Sequence, residues 1–401
     1  MISVVGGTYR EVCAEPARDE LYGSGGRAAA ALVELAHDVT LHTFYPREAW
    51  GVVQAIAASL GFQVSLHDAQ TAVRFDYDHG LSRPVITPPL HHLKSEASMS
   101  VEARSVLRFG MLEGDAVVHA EVAVYDPQNV DTPVHYRANG STAGRLAYVL
   151  NRSEARRFST AGQPEDLVRD IAQQASVNAV VLKMGAQGAL VFENGSFAQV
   201  PAFRTPRVWP IGSGDVFSAV FAHHWIERGV PAAEAARHAS LATAYYCHTT
   251  SLPIPRDLPA DAYPPIAVRR DPSVPQQVYL AGPFFTLGER WVINQARTAL
   301  RDMGFQVFSP LHDVGMGPAE EVVASDIQGI HDSDLIFAVV DGLDAGTLFE
   351  VGYARALKKP VVAFRQNETD ESMKMLSGTG CVIEPDFVTA VYATMWEALE
   401  K

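Results

Sequence analysis

The stretch DLIFAVVDGLDAGTLFEVGYARALKKPVVAFRQ, residues 334–366, contains two apolar runs separated by a helix-forming segment. The runs LIFAVV and VVAF carry no polar side chain, which is typical of strands buried on both faces of a parallel sheet. The pattern between them, over residues 347–359, is helical. The stretch therefore predicts a strand–helix–strand unit, and with it a sheet of parallel strands.

The same alternation extends over the last third of the chain. Strands are predicted at 278–284 and 305–310, and helices at 289–304, ending at Gly304, and at 320–333. Such a run predicts a doubly wound parallel sheet of the Rossmann or flavodoxin-like kind. Ligands bind beyond the carboxyl ends of the strands in these sheets, so the loops that follow the strands are expected to form one rim.

A proline-rich segment divides the chain. Residues 251–277 contain seven prolines and show neither helical nor strand periodicity, which indicates an extended linker or a strap over the surface. We therefore predict an N-terminal domain at 1–255, a linker at 256–275 and a C-terminal domain at 276–401.

Composition restricts the partners and the compartment. The net charge of -14 argues against a nucleic-acid backbone or an anionic membrane as the partner. The three cysteines lie far apart without metal-ligand spacing, which fits a reducing compartment. We expect no signal peptide, since residues 1–12 lack a basic region followed by an apolar core, and no apolar run approaches the roughly 20 residues of a membrane span. We expect a cytoplasmic protein that acts on a small molecule.

Glu350 stands in the middle of the apolar helix predicted after residue 346. In one interpretation, Thr347 and Glu350 form a T-x-x-E capping box, in which the glutamate binds the N-cap amide. In the other, Asp326, Asp341 and Asp344 gather with Glu350 at the rim, which is costly unless a ligand uses these carboxylates. Cleavage of a glycosidic bond requires paired carboxylates, and a helix N-terminus would keep Glu350 ionised as a nucleophile.

Residues 276–401 resemble the nucleoside 2-deoxyribosyltransferases, with which the related nucleoside and nucleotide N-glycosidases share a fold. The resemblance rests on VYLAGPFF (278–285), SPLHDVG (309–315), SDIQGIHDSDLIFAVVDG (325–342) and DAGTLFEVGYA (344–354), in that order. It implies cleavage or transfer of the N-glycosidic bond of a nucleoside or 2-deoxynucleoside, without a cofactor.

The same resemblance implies residue roles. Glu350 would be the nucleophile that forms a covalent glycosyl-enzyme, and Tyr279 would orient it. Asp326 would contact the base and help to protonate it. Asp344 would bind the sugar 5′-hydroxyl, which favours a free nucleoside over a nucleotide because a carboxylate repels a phosphate. Two further substrate-binding residues are implied, Gly282 and Asp341.

Two points stay open in this domain. Asp341 could equally cap the end of its strand. Family transferases often supply an asparagine from a neighbouring subunit near the C-terminus, and residues 378–386 contain none, which leaves transfer or hydrolysis undecided. Family sites built across subunits imply a homo-oligomer, at least a dimer.

In the N-terminal domain, the pattern over residues 209–229 predicts an amphipathic helix that begins at the motif GSGD, residues 212–215. Glycines let backbone amides approach an anion, and the helix dipole adds positive potential there. Asp215 would be either a plain N-cap or the general base of phosphoryl transfer. Asn151 and Glu154, as N-x-x-E, could form another capping box.

The motifs NRSE (151–154), LKMGAQGALV (182–191) and GSGD (212–215) together resemble the PfkB or ribokinase-like sugar and nucleoside kinases. The resemblance covers about the first 250 residues and implies a three-layer α/β/α fold, ATP and Mg²⁺ as cofactors, and Asp215 as the base. Glu154 would act on Mg²⁺ indirectly. The other residues implied to bind the cofactor are Gly212, Ser213, Gly214, Asn151, Gly185 and Gly188.

Departures from the kinase pattern leave its activity open. The family's sugar-binding asparagine is Ala30 here, and Trp209, Pro210 and Ile211 replace the D-T-x before the glycine turn. We predict a bifunctional enzyme of nucleoside metabolism, which cleaves or transfers an N-glycosidic bond and phosphorylates a sugar or nucleoside. The alternatives are a transferase or glycosidase with a degenerate, non-catalytic kinase-like domain, and a sensor without activity. The expected partners are nucleosides, nucleobases or sugars.

Overall fold

The computed structural model describes residues 1–93, 97–128, 133–270 and 274–400. The chain forms two compact units that divide inside the proline-rich segment. Unit 1 comprises Met1–Thr205 and Trp209–Pro265, and unit 2 comprises Pro206–Val208 and the chain from Ile266 onward. Within the described ranges, no helix combines the length and hydropathy needed to cross a bilayer.

Strands and helices alternate in unit 1. Its strands are β1 (Ile2–Val5), β2 (Arg10–Glu15), β3 (Arg18–Leu21), β4 (Val39–Tyr45), β5 (Gln63–Asp68), β6 (Arg74–His79), β7 (Val85–Thr87), β8 (Ala97–Phe109), β9 (Gly114–Asp126), β10 (Thr142–Asn151), β11 (Ala179–Lys183), β12 (Ala189–Glu193) and β13 (Ser196–Val200). Its α-helices are α1 (Gly23–Leu32), α2 (Trp50–Leu60), α3 (Arg152–Phe158), α4 (Pro164–Ala175), α5 (Ser213–Ala222) and α6 (Ala232–Thr249).

A nine-stranded sheet forms the centre of unit 1, in the order β13-β12-β11-β10-β9-β8-β1-β4-β5. Its neighbours are parallel except that β12 runs antiparallel to β11 and β13. Successive side chains enter opposite cores, because side chains alternate along a strand. Val4 and Val181 pack in the core with α1, α5 and α6, whereas Val5 and Val180 pack in the core with α3 and α4. The predicted three-layer α/β/α fold is confirmed.

A second, four-stranded sheet of unit 1 has the order β3-β2-β6-β7. Strand β2 pairs antiparallel with β3 and parallel with β6. This small sheet carries Glu11 on β2 and Glu20 on β3, both of which reach the candidate site of unit 1. The end of unit 1 packs as a strap, since Ile254 and Tyr263 are buried and the Ile254 amide donates to the Ala31 carbonyl.

The described residues of unit 2 form five strands and five α-helices. The strands are β14 (Gln277–Ala281), β15 (Gln306–Phe308), β16 (Leu335–Val339), β17 (Val361–Phe364) and β18 (Val382–Glu384), and the helices are α7 (Leu287–Asp302), α8 (Ala319–Asp332), α9 (Ala345–Ala356), α10 (Lys374–Gly378) and α11 (Phe387–Glu400).

The sheet of unit 2 is parallel throughout and has the order β15-β14-β16-β17-β18. This is the flavodoxin-like order, in which the chain switches direction between the first and third strands. The predicted doubly wound fold is confirmed. The switch point, between β14 and β16, lies where Gly282 and Asp341 leave the sheet. The residue predicted to end α7, Gly304, follows the helix with φ +102°, a conformation that glycine adopts without strain.

Candidate functional site

A tyrosine and a glutamate meet at the centre of unit 2. The Tyr279 hydroxyl on β14 donates a hydrogen bond of 2.6 Å to Oε1 of Glu350 on α9. Tyr279 is fully buried and stacks on Phe308 of β15, with ring centroids 5.5 Å apart and planes at 19°. Gly329 of α8 leaves room for that ring, because a Cβ there would lie 2.4 Å from Phe308 Cε1. The packing thus fixes the Tyr279 ring, and through it the Glu350 carboxylate.

Burial raises the pKa of Glu350 to about 7, the Tyr279 hydrogen bond lowers it, and the charges of Asp326 and Asp344 raise it. The carboxyl group is therefore poised near neutral pH. The expectation that a helix N-terminus holds Glu350 ionised is wrong, because Glu350 lies in the second turn of α9 and burial, the largest influence on its pKa, favours the protonated carboxyl group. Burial and the Glu350 charge raise the pKa of Tyr279, so its hydroxyl stays a neutral donor.

The capping-box interpretation of Glu350 is also wrong. Helix α9 begins at Ala345 and its N-cap is Asp344, whose Oδ2 accepts from the Thr347 amide at 2.8 Å and from the Thr347 hydroxyl at 2.9 Å. Asp344 caps the helix three residues earlier than Thr347 could, so Thr347 becomes the third helical residue. Glu350 therefore has no part in starting its helix.

Asp326 projects from α8 as the second carboxyl group of this site. Burial raises its pKa, and its charge raises the pKa values of Glu350 and Tyr279. Its buried Oδ1 accepts no hydrogen bond from the described residues. A carboxyl group that holds its proton more readily and has an unsatisfied oxygen is suited to donate to a ligand.

The two remaining residues predicted at this rim have structural partners. The Asp341 carboxylate accepts from the Gln366 amide at 2.8 and 3.0 Å and from the Asn367 amide at 2.8 Å, so it holds the loop after β17. These bonds favour the strand-capping interpretation of Asp341. Gly282 packs tightly, because a Cβ there would lie 2.7 Å from Ile293 Cδ1. A substrate-binding role for either residue stays a prediction.

In unit 1, Asp215 lies in the first turn of α5, and the N-cap is Gly212 with φ +77°. The plain N-cap interpretation of Asp215 is therefore wrong. Burial raises the pKa of Asp215 to about 6, although the charge of Arg27 lowers it. Its Oδ2 accepts from Arg27 Nη1 at 3.2 Å and its Oδ1 from Gln128 Nε2 at 2.5 Å. Both oxygens of the predicted base thus have donors.

The predicted N-x-x-E capping box is present. The Asn151 side chain accepts from the Glu154 amide at 2.9 Å, and Glu154 Oε2 accepts from the Asn151 amide at 2.8 Å. Glu154 is buried, and burial followed by the charge of Asp126 raises its pKa to about 7. Asp126 Oδ2 in turn accepts from Lys183 Nζ and Ser218 Oγ, each at 2.6 Å.

The glycines predicted to bind the cofactor of unit 1 lie in two turns, and a lysine lies beside one of them. Lys183 Nζ would lie 3.5 Å from a Cβ at Gly214, so an ammonium group faces the turn of Gly212, Ser213 and Gly214, which fits a phosphate. Gly185 and Gly188 flank the turn between β11 and β12 with φ +59° and +83°. No group of three or more His, Cys, Asp or Glu side chains within the described ranges is arranged to hold a metal ion. The Mg²⁺ role of Glu154 stays a prediction.

Sequence reasoning missed several charged or polar residues that shape the site of unit 1. They come together only in the fold, and they are Glu11, Glu20, Arg27, Asp126, Gln128 and Lys183. Asp126 and Lys183 each end an apolar strand, which is a local signal for a ligand-facing rim. A lone arginine in the alanine-rich helix GRAAAAL was the signal for Arg27.

Comparisons with known proteins give one family match in each half of the chain. The model for the pfkB family of carbohydrate kinases matches residues 147–255, which lie in unit 1 except for residues 206–208. The model for nucleoside 2-deoxyribosyltransferase matches residues 278–385, within unit 2. One chain carries a domain of each family. The family resemblances stated from the sequence are therefore confirmed. A comparison with curated proteins gave no match.

Solved structures with similarity to this chain include three sugar or polyol kinases. A ribokinase from Thermotoga maritima is 17% identical, with 65% of this chain and 98% of that chain covered and a TM-score of 0.45. A fructokinase from Vibrio cholerae, solved with fructose, ADP and calcium, is 13% identical, with 66% and 99% covered and a TM-score of 0.47. A pyrophosphate-dependent kinase of the ribokinase family is 15% identical, with 65% and 98% covered and a TM-score of 0.44.

Proposed function

We propose that unit 2 cleaves or transfers the N-glycosidic bond of a nucleoside or 2-deoxynucleoside, with Glu350 as the nucleophile. One observation carries the proposal: a half-buried glutamate is held at 2.6 Å by a buried tyrosine and takes no part in capping its own helix. Because a half-buried carboxyl group with a raised pKa is costly to keep, this arrangement supports a chemical role.

The proposed reaction begins when the ionised Glu350 carboxylate attacks the anomeric carbon of the sugar. A C–O bond to Glu350 forms while the C–N bond to the base breaks, and the bonding electrons leave with the base. Asp326, whose pKa is raised by burial, supplies the proton that the departing base takes up. Water or a second base then attacks the anomeric carbon, the C–O bond to Glu350 breaks with its electrons returning to the carboxylate, and Asp326 takes up the proton of the attacking group, which gives hydrolysis or transfer.

Asp344 sets the proposed preference for a free nucleoside. Both of its capping bonds end on Oδ2, so the carboxylate is oriented at the start of α9 by its own helix. The other carboxylate oxygen of Asp344 can then accept a hydrogen bond from a sugar hydroxyl, whereas the negative charge of the carboxylate disfavours a phosphate. The substrate that this site fits best is therefore a nucleoside without a 5′-phosphate.

Phosphorylation of a sugar or nucleoside with ATP and Mg²⁺ is the second candidate function, for unit 1. The pfkB family match and the ammonium of Lys183 beside the glycine turn support it. The two donors already bound to Asp215 favour the alternative, a kinase-like domain that does not transfer a phosphoryl group. Assembly into at least a dimer and a cytoplasmic location also stay predictions.

The test of the glycosyl reaction is product analysis with purified protein. A panel of nucleosides and 2′-deoxynucleosides is incubated with and without an acceptor base, and released or exchanged bases are separated by chromatography. Glu350→Ala should abolish the reaction while the protein remains folded. Glu320→Ala, on the exposed first turn of α8, is the matched control and should retain full activity. If the wild-type protein leaves every nucleoside intact, the proposal is refuted.

A further inference from the structure

Arg27 of α1 is buried without any exposed surface, and three carboxylates surround it. Its Nη2 lies 2.6 Å from Glu11 Oε2 and 3.6 Å from Glu20 Oε2, and its Nη1 lies 3.2 Å from both Glu11 Oε1 and Asp215 Oδ2. The contact with Glu11 is bidentate, the geometry that a guanidinium favours with a carboxylate. One cation thus neutralises part of an acidic cluster that also contains the predicted catalytic base.

These contacts join three separate parts of unit 1. Arg27 belongs to α1, Glu11 and Glu20 to the four-stranded sheet, and Asp215 to the first turn of α5. The guanidinium therefore holds the small sheet against the start of α5. An arginine that links three elements through ion pairs is a fixed part of the fold, because the guanidinium without its carboxylates would be a fully buried, uncompensated charge.

The glycine turn before α5 is shaped around Arg27. A Cβ at Gly212 would lie 2.2 Å from Arg27 Nε and 2.3 Å from its Cζ, so only a residue without a side chain fits there. The Tyr22 ring lies on another side, with its centroid 5.2 Å from Cζ. The guanidinium thus fills the space between the turn and the small sheet, beside Asp215.

A general base must form a hydrogen bond with the hydroxyl whose proton it removes. In unit 1 the Asp215 oxygens already accept from Arg27 and from Gln128. A guanidinium remains protonated at every pH at which the protein is folded, so this ion pair is not released by titration of Arg27. Each carboxylate oxygen can accept more than one hydrogen bond, but the guanidinium fills the space between the glycine turn and the small sheet, so a hydroxyl that approaches Asp215 Oδ2 from there meets the guanidinium first.

We propose that Arg27 permanently occupies the position beside Asp215 that the hydroxyl of a phosphoryl acceptor would take. In this proposal the carboxylate cluster of unit 1 is a guanidinium-binding site filled by Arg27, and unit 1 transfers no phosphoryl group. The site takes a guanidinium group through two carboxylates of the small sheet and one of α5. This inference concerns unit 1 alone, so its test is independent of the test of the glycosyl reaction proposed for unit 2.

The first test measures phosphoryl transfer by the intact protein. Wild type and Asp215→Asn are incubated with γ-labelled ATP, Mg²⁺ and a panel of sugars, polyols and nucleosides. The expected result is no labelled product from either protein. Labelled product from the wild type that Asp215→Asn fails to form would overturn the proposal.

The second test removes the Arg27 side chain and supplies a guanidinium group from solution. Arg27→Ala should melt at a lower temperature than the wild type, and methylguanidinium should raise that melting temperature in a saturable manner. The double variant Arg27→Ala/Glu11→Gln should lose most of this effect, and Arg10→Ala, which removes an exposed arginine from the same sheet, should show none.

Sodium chloride at equal ionic strength controls for screening in these melts. If Arg27→Ala does not fold alone, its refolding yield is measured with methylguanidinium or with sodium chloride, and only methylguanidinium should restore it. If methylguanidinium raises the melting temperature or the refolding yield of Arg27→Ala no more than that of the wild type, the result contradicts a guanidinium-binding site.

Discussion

Tyr279→Phe should shift the pH dependence of the glycosyl reaction upward. The change removes the 2.6 Å hydrogen bond that lowers the pKa of Glu350 and leaves the aromatic ring stacked on Phe308. A hydrogen bond to a charged group contributes about 1.5–3 kcal/mol, which corresponds to about 1–2 pKa units. The pKa of Glu350, about 7 in the wild type, should therefore rise to about 8–9.

The rate follows from the ionised fraction, because only the carboxylate attacks the sugar. At pH 7 about half of Glu350 is ionised in the wild type and about 1–10% in Tyr279→Phe, so the rate should fall about 5- to 50-fold. At pH 9 and above the rates should converge to within a few fold. The acid limb of the profile should move with the pKa.

The assay is single-turnover base release measured from pH 5 to 10. Tyr353→Phe is the matched control, since Tyr353 lies on the same helix and bonds to His331. Its profile should coincide with that of the wild type. A Tyr279→Phe profile that is lower by the same factor at every pH, with an unmoved acid limb, would refute the assigned role of the hydrogen bond.

Three further predictions concern the same site. Because the pKa of Glu350 in the folded protein lies above its ordinary value of 4.5, the stability of the wild type should fall as the pH rises from 4.5 to 7. Glu350→Gln should remove this pH dependence and stabilise the protein by about 2–3 kcal/mol at pH 8. Urea unfolding measures both effects, with Glu320→Gln as the control. Asp344→Asn should keep the helix cap but raise KM for nucleosides, whereas Asp344→Ala should also cost about 1 kcal/mol of stability. Asp326→Asn should lower kcat most for substrates whose base leaves poorly without a proton; equal loss for all bases would contradict its role as proton donor.

The sequence predicted the sheet of unit 2 well because its signals are local. Continuous apolar runs mark strands buried on both faces, and LIFAVV and VVAF became the adjacent parallel strands β16 and β17. The rim followed from topology, since the carboxyl ends of parallel strands meet on one side of the sheet. Gly304 likewise ended α7 through a local property, its tolerance of positive φ.

The start of α9 shows where local rules failed. Asp344 and Thr347 are both good N-caps, and the sequence between them fits a helix that starts at either one. The structure selected Asp344, whose carboxylate binds both the amide and the hydroxyl of Thr347. A rule based on residue spacing could not choose between them. This choice decides whether Glu350 caps the helix or faces Tyr279.

The site of unit 1 was the hardest to predict. Arg27 meets Glu11 and Asp215 across 16 and 188 residues of chain, so no window of the sequence contains the cluster. The family resemblance implied Asp215 as the base but gave no sign of its cationic partner. A charged residue in an alanine-rich buried helix is the one local clue, because such a charge must find a partner in the fold.

The most direct test of the central claim is the intact mass of the protein during turnover of a nucleoside. We predict that the wild type gains the mass of one sugar residue, that peptide mapping places it on Glu350, and that Glu350→Ala gains none. An adduct on another residue, an adduct that persists in Glu350→Ala, or base release without any covalent adduct in rapidly quenched wild-type protein would contradict Glu350 as the nucleophile.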